Sequence, residues 1–348
     1  MISYIVIFSI FGITTFFAFY GVRKQQSVVV FALIAIACCC FAFLRSDTVD
    51  KDYQTYKMLY DSYDDFTLIL TEPTFIFISY VVRTFLRGNI FYLFVIYAIL
   101  GVGVKMIAIK RLTEFYMLSA LIYLSTFFLL HEMTQIRVGV ASGFLLLSIP
   151  AIYERNFLKF LLFALIAVSF HYSAAVILPL YFLLRPGKIV PLIYIVLIIA
   201  VYSLHFLNIH FTALLAKIPL ENVQFKLEAN EKFSLWNDDK VNVLNVLQLM
   251  RLGLAMFFLK YADCIAEGNK YGYILIKFYI VSLCAMVFFA DIPTFAVRTS
   301  ELLGVVEIIL LPCIMYVIKP KAIAAILVMS MGLLFLSTTL FYTKLLHF

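Results

Sequence analysis

Residues 27–44 read SVVVFALIAIACCCFAFL, an unbroken apolar run with Arg23-Lys24 ahead of it and Arg45 behind. Wound as a helix at about 1.5 Å per residue, the run is roughly 27 Å long, close to the bilayer's apolar thickness of about 30 Å. The strands of an outer-membrane barrel alternate apolar and polar positions, and this run does not. A continuous apolar segment in hydrocarbon satisfies its own backbone N–H and C=O groups only as a helix. The stretch therefore predicts a membrane-spanning helix.

The same pattern recurs in both directions from it. Apolar runs at 2–20, 90–109, 116–131, 137–153, 157–170, 173–185, 188–204, 246–262, 271–290, 299–318 and 321–341 join the one at 27–44. The expected fold class is all-α: a single transmembrane domain over residues 1–348 with about twelve spans and outer-side loops at 45–89 and 205–245. Composition agrees, since hydrophobic residues make up 64% of the chain and charged ones 14%, against about 45–50% and about 25% in soluble domains. The net charge of +7 does not mark a nucleic-acid binder, because the Lys and Arg residues stand singly or in pairs between the spans. The partner to expect first is the lipid bilayer. The six cysteines form no framework: Cys38, Cys39 and Cys40 lie inside a span, and Cys264, Cys284 and Cys313 are isolated, so they read as small apolar residues. The first run, from Ile2 to Tyr20, lacks a basic stretch before it and a clear small-residue cleavage site after it. It reads as a retained helix.

Orientation follows from the basic residues of short loops, which favour the cytoplasm. These are Arg23-Lys24, Lys110-Arg111, Arg155 with Lys159, Arg185 with Lys188, Lys260 with Lys270, and Lys319 with Lys321. All six fall inside if Pro73–Arg87 does not cross. That stretch is short, begins with a proline suited to a first helical turn, stops at Gly88-Asn89 and carries Arg83. It is expected to be a re-entrant or surface-lying helix on the outer side. Between Arg155 and Arg185 the apolar residues are too few for two full spans. Two short helices meeting at a bend at His171-Tyr172 keep the parity, with His171 on the floor of an outer cavity.

Within this topology the costly side chains gather at outer helix ends: Arg45, Asp52, Glu72, His131, Glu132, Gln135, Arg137, His171, Asp291, Arg298 and Glu301. A charge at mid-span costs roughly 2.5–3.5 kcal/mol, so such groups tend to face a bundle interior and pair. Gln135-Ile136-Arg137 opens a helix with Gly139 and Gly143 on one face, a spacing that lets another helix come close. Arg137 then stands near a helix N-terminus, with a planar fork suited to phosphate oxygens; the alternative is an internal pair with Glu132. Arg298 starts another helix, with Glu301 one turn on as its alternative partner. His171 fits a base or a donor to a sugar hydroxyl, or a histidine that satisfies broken backbone. Asp50-x-Asp52 has no further carboxylate at a fixed offset, so no metal is expected, and no nucleotide-binding or hydrolase motif is present. Tyr53, Tyr56, Tyr60 and Tyr63 share one helix face. They read as anchors of an amphipathic helix at the outer interface, with sugar stacking as the alternative.

The chain resembles the Wzy/EpsG family of polysaccharide-repeat polymerases. The likeness rests on Arg45 followed by Asp52-Tyr53-x-x-Tyr56, on Glu72-Pro73 before a short helix, and on Gln135-Ile136-Arg137-x-Gly139-x-Ala141. It continues through Ser169-Phe170-His171-Tyr172-Ser173-Ala174 and Pro179-Leu180-Tyr181 to Arg298. It covers most of residues 40–185 and the remainder weakly, and Thr48-Val49-Asp50-Lys51 stands where the family often has a glycine before its Asp-Tyr pair. The resemblance implies a GT-C-like membrane glycosyltransferase in the bacterial cytoplasmic (inner) membrane, working on the periplasmic or outer face without a cofactor. Its substrates would be undecaprenyl-pyrophosphate-linked oligosaccharides, and a chain-length regulator is a further partner left open. On this reading His171, Asp52 and Arg137 are catalytic, and Arg45, Arg298, Gln135, Tyr53, Tyr56 and Glu72 bind pyrophosphate or glycan. An O-antigen ligase-type transferase would share this chemistry. A transporter or flippase of lipid-linked sugars would need polar groups at mid-membrane, and the cytoplasmic halves read as uniformly apolar.

Overall fold

The side chains of Asn89, Asn156 and Asn245 cap three helix starts in the computed structural model, which describes residues 2–21, 24–46, 49, 52–62, 71–209, 241–343 and 346. Helices α1 (Ile2–Tyr20) and α2 (Lys24–Phe43) are uninterrupted apolar segments. A short helix α3 (Asp52–Asp61) follows, then α4 (Pro73–Phe85), whose first position is the proline with its fixed φ. Leu86 leaves the helical conformation, and Arg87 and Gly88 take positive φ values of 59° and 69°, with the Gly88 N–H returned to the Val82 carbonyl. That is a glycine-assisted helix stop. Helix α5 (Ile90–Leu112) begins where the Asn89 side chain accepts the Phe91 N–H.

Helix α6 (Tyr116–Ile122) runs directly into a π-helix, Tyr123–Glu132, an unusually long stretch of that wide turn. Helix α7 (Ile136–Tyr153) and α8 (Phe157–Phe170) follow, the latter started by the Asn156 side chain accepting the Lys159 N–H. At His171 the backbone is extended (φ −156°, ψ 122°) before a 3-10 turn, Tyr172–Val176, and α9 (Ile177–Leu183). The bend expected at His171 is present.

Chain contacts divide the described residues into two units. The first holds residues 1–181 and 307–348; in it α7 packs along α5 and α8, and α2 packs on α5. The small-residue face of α7 does what its spacing suggests: a methyl group added to Gly143 would stand 2.9 Å from Val104 of α5, and one on Gly139 would stand 3.0 Å from the His131 carbonyl oxygen. The second unit, residues 182–306, contains Pro191–Phe206, Val246–Lys260, Gly272–Phe288 and Pro293–Gly304. Its polar interior includes Lys277, whose ammonium donates to the carbonyls of Arg185 (2.7 Å) and Gly187 (3.0 Å), and Arg251, which donates to Ser282 (3.2 Å).

The chain is an all-helical membrane protein, with no strand among the described residues. Among the described residues, six helices are long and apolar enough to cross a membrane: Ser3–Tyr20, Gln26–Phe43, Ile90–Leu112, Ile136–Tyr153, Pro293–Val317 and Lys321–Tyr342. The other segments expected to span form shorter helices. Arg298 does not begin its helix: Pro293 starts it, which places Arg298 more than a turn inside. Asp50, Tyr63 and most of the 205–245 loop lie outside the described residues.

Candidate active site

Glu72 holds the extended position just before α4, from which a side chain usually accepts a first-turn N–H, yet it makes no such bond. Its carboxylate is turned inward, buried, and shared by two partners. Oε2 accepts from the Arg137 guanidinium, and Oε1 lies 2.7 Å from Nδ1 of His171. Burial raises the Glu72 carboxyl, but the His171 hydrogen bond and the Arg137 charge outweigh it and hold the group below its ordinary value. An ionised Glu72 can only accept, so Nδ1 of His171 carries the proton. In the neutral ring Nε2 is then the free lone pair.

Local chemistry explains why residues this far apart in sequence meet. The Thr74 hydroxyl in the first turn of α4 donates to the Ser169 carbonyl at the end of α8 (2.6 Å). The Tyr172 hydroxyl donates to the Thr71 carbonyl (3.3 Å). These two bonds tie the start of α4 to the bend after α8 and so place Glu72 beside His171. Arg137 comes from the first turn of α7, with its guanidinium 5.4 Å from the Tyr56 ring centre and 5.6 Å from that of Phe75. Aromatic contacts extend from there: Tyr56 to Phe94, Tyr53 stacked on Phe94 (4.9 Å), Phe75 to Tyr97, and Tyr97 to Phe170.

The structure thus brings Glu72, Arg137, His171 and Tyr56 together. Asp52 opens α3 one turn before Tyr56, and Gln135 is the residue just ahead of α7. Arg45 lies over the Phe94 ring (4.4 Å) and donates to the carbonyls of Glu132 (2.9 Å) and Met133 (2.5 Å), where a cation complements a helix C-terminus. Arg298 is half-buried within the second unit.

Two readings need correction. Tyr56 and Tyr60 do not anchor an interface: both are buried, Tyr56 beneath Arg137 and Tyr60 beneath Arg83 (4.7 Å). Helical spacing identifies a common face but not what covers it. Arg137 also does not pair with Glu132, although the two are five residues apart. The π-helix carries Glu132 into the packing between α5 and α7, where Oε1 accepts from the Lys105 ammonium (2.6 Å) and the Tyr123 hydroxyl (3.1 Å). Lys105 also donates to the Gly139 carbonyl (2.5 Å) and is fully buried. It breaks the uniform apolarity expected of the half of α5 that ends on Lys110-Arg111. The signal was present in the sequence, since a lysine deep inside a span needs a partner.

The model of the EpsG family matches residues 28–347, nearly the whole chain. The "Amylovoran biosynthesis protein AmsC" of Erwinia amylovora is 26% identical over 239 residues. That match covers 66% of this chain and spans 61% of the length of the relative. No solved structure matches.

Proposed function

The chain belongs to the EpsG family, and on that footing we propose that it is a membrane glycosyltransferase that polymerises oligosaccharide repeat units. It takes the growing glycan from undecaprenyl pyrophosphate and passes it to a second lipid-linked unit, at the periplasmic or outer face of the cytoplasmic membrane. The reading treats the chain as one GT-C-like transmembrane domain of about twelve crossings; what supports the polysaccharide role itself is the family match and the biosynthetic relative in Erwinia amylovora.

One observation carries the chemistry: a single ionised carboxylate, Glu72, orients a histidine and an arginine at once. In the transfer the acceptor hydroxyl oxygen forms a bond to the anomeric carbon of the donor glycan. The bond from that carbon to the pyrophosphate oxygen breaks, and the pyrophosphate leaves with the electron pair. His171 Nε2 takes the hydroxyl proton, while Glu72 fixes the tautomer through Nδ1–H. Arg137 meets the charge that grows on the leaving oxygen. Its partner Glu72 keeps its resting charge balanced, so anion binding competes with that ion pair and strengthens as the leaving group becomes more negative. Arg45, Gln135, Asp52 and Tyr53 are assigned to binding pyrophosphate and glycan within the first unit, and Arg298 is assigned separately, as a substrate-binding cation of the second.

Complementation of a polymerase-null strain tests the reading. Wild type restores a ladder of long chains on a gel, and Arg137→Ala, at equal abundance in the membrane, drops polymer by about 100-fold or more. Normal ladders from Arg137→Ala would remove the assigned role. Long chains that are made but not attached to their final acceptor would point to the ligase chemistry instead.

A further inference from the structure

Lys105 and Glu132 lie outside the groups assigned to the reaction, yet they stand directly behind one of them. The Lys105 ammonium, buried on α5, grips two consecutive elements. It donates to Glu132 Oε1 at the end of the π-helix (2.6 Å) and to the Gly139 carbonyl in the first turn of α7 (2.5 Å). The turn between those two points contains Gln135 and leads into Arg137, two residues before Gly139. Arg45 closes the same turn through the Glu132 and Met133 carbonyls. Room for this arrangement depends on two glycines. A side chain on Gly101 would collide with the Glu132 carboxylate, and one on Gly139 would stand 2.9 Å from Glu132 Oε2. Ser142 donates to the Gly139 carbonyl as well (2.9 Å) and lies 3.2 Å from His131 Nδ1, so this one carbonyl is held by two donors.

A charged pair inside apolar helices is not the cheapest way to join them. Replacing such a pair by well-packed apolar residues is often neutral or stabilising. What an apolar replacement lacks is direction. Hydrogen bonds to one carboxylate oxygen and one carbonyl set the rotation of α7 about its axis, and the rotation decides whether Arg137 faces Glu72. We propose that Lys105 and Glu132 are positioning residues for the glycosyl transfer: they clamp the turn between the π-helix and α7 so that Arg137 meets Glu72 and the departing pyrophosphate. This rests on the polymerase reading above.

The test uses the full chain, reconstituted in proteoliposomes with lipid-linked repeat units, and compares wild type, Arg137→Lys, the double variant Lys105→Met with Glu132→Leu, and all three changes together. The double variant should accumulate and melt like wild type but polymerise at least tenfold more slowly, mainly through kcat. Arg137→Lys should cost tenfold or more in the wild-type background and less than threefold when the clamp is already gone. A purely structural pair gives losses that multiply, so full multiplication overturns the proposal, as does polymerisation within twofold of wild type by the double variant. If the double variant does not accumulate, Glu132→Gln decides. It keeps an oxygen for Lys105 to grip, so at least a third of normal activity supports the clamp and a tenfold loss at normal abundance overturns it. The polymerase reading fails separately, if wild-type protein makes no polymer or Arg137→Ala still makes it.

Discussion

At Glu72 one carboxylate serves two donors, Arg137 on Oε2 and His171 on Oε1, so changing it is felt at both. In Glu72→Gln the amide keeps one acceptor oxygen and turns an N–H₂ group toward the other donor. Either Arg137 or the His171 tautomer is then lost, and polymer formation should fall by about 100-fold or more at unchanged abundance, the scale of a removed general base. Stability carries a pH signature with a definite sign. The folded protein holds the Glu72 carboxyl below its ordinary value, since the His171 bond and Arg137 outweigh burial. Its contribution is therefore present above the unfolded value of about 4.3 and disappears as pH falls through the lower folded value. The melting temperature of Glu72→Gln in detergent should lie below wild type at about pH 5, and the gap should close below about pH 4. A margin that grows in acid would contradict the assignment of Glu72 as the ionised partner.

At the scale of elements, the π-helix and the glycines of α5 and α7 decide which side chains meet. Gly101 and Gly103 sit two residues apart on α5 and make a controlled comparison. A methyl group on Gly101 would strike the Glu132 carboxylate, whereas one on Gly103 meets nothing within 4 Å. Gly101→Ala should destabilise the protein by about 1–3 kcal/mol, the usual range for overpacking, and Gly103→Ala should melt like wild type. Equal melting temperatures for the two would refute the close approach. Thr74→Val removes the hydroxyl bonded to the Ser169 carbonyl while keeping the shape of the side chain. It should loosen α4 from the bend at His171 and lower polymer several-fold with little change in abundance. The helices themselves are legible in the sequence, because long apolar runs and caps such as Asn156 and Pro73 act locally: the run read as 157–170 forms Phe157–Phe170. The partners are legible only in part. A reading along the chain offers Glu132 as the alternative partner of Arg137 because it is near in sequence, whereas the carboxylate it meets is 65 residues away. Periodicity at 3.6 residues per turn also gives no warning of a π-helix, whose wider turn rotates Glu132 toward Lys105.

At the scale of the whole molecule the helices are of two kinds. Length alone divides them: Ile90–Leu112 has 23 residues, enough for a bilayer, while Phe157–Phe170 has 14, about 21 Å at 1.5 Å per residue. Such a helix does not join one face to the other: either the membrane thins around it or the helix stops inside a protein-lined cavity. The extended backbone at His171 and the helices on either side of it fit the second case. On the orientation proposed above, the bend where His171 and Glu72 meet faces outward. This predicts a specific pattern of access to a membrane-impermeant thiol reagent in a cysteine-free background. Single cysteines at Lys57, exposed on α3, and at Asp291 should react from outside intact cells, and a cysteine at Glu154, exposed in the turn before α8, should react only after permeabilisation. A cysteine at Tyr172, just past the bend and partly exposed, discriminates further. It should react from outside, more slowly than Lys57, if two short helices dip from the cytoplasmic side to a wet floor. It should remain unreactive from both sides if the chain crosses lipid at the bend instead. In that second outcome the loops after it would change sides, and Asp291 would be labelled from the cytoplasm.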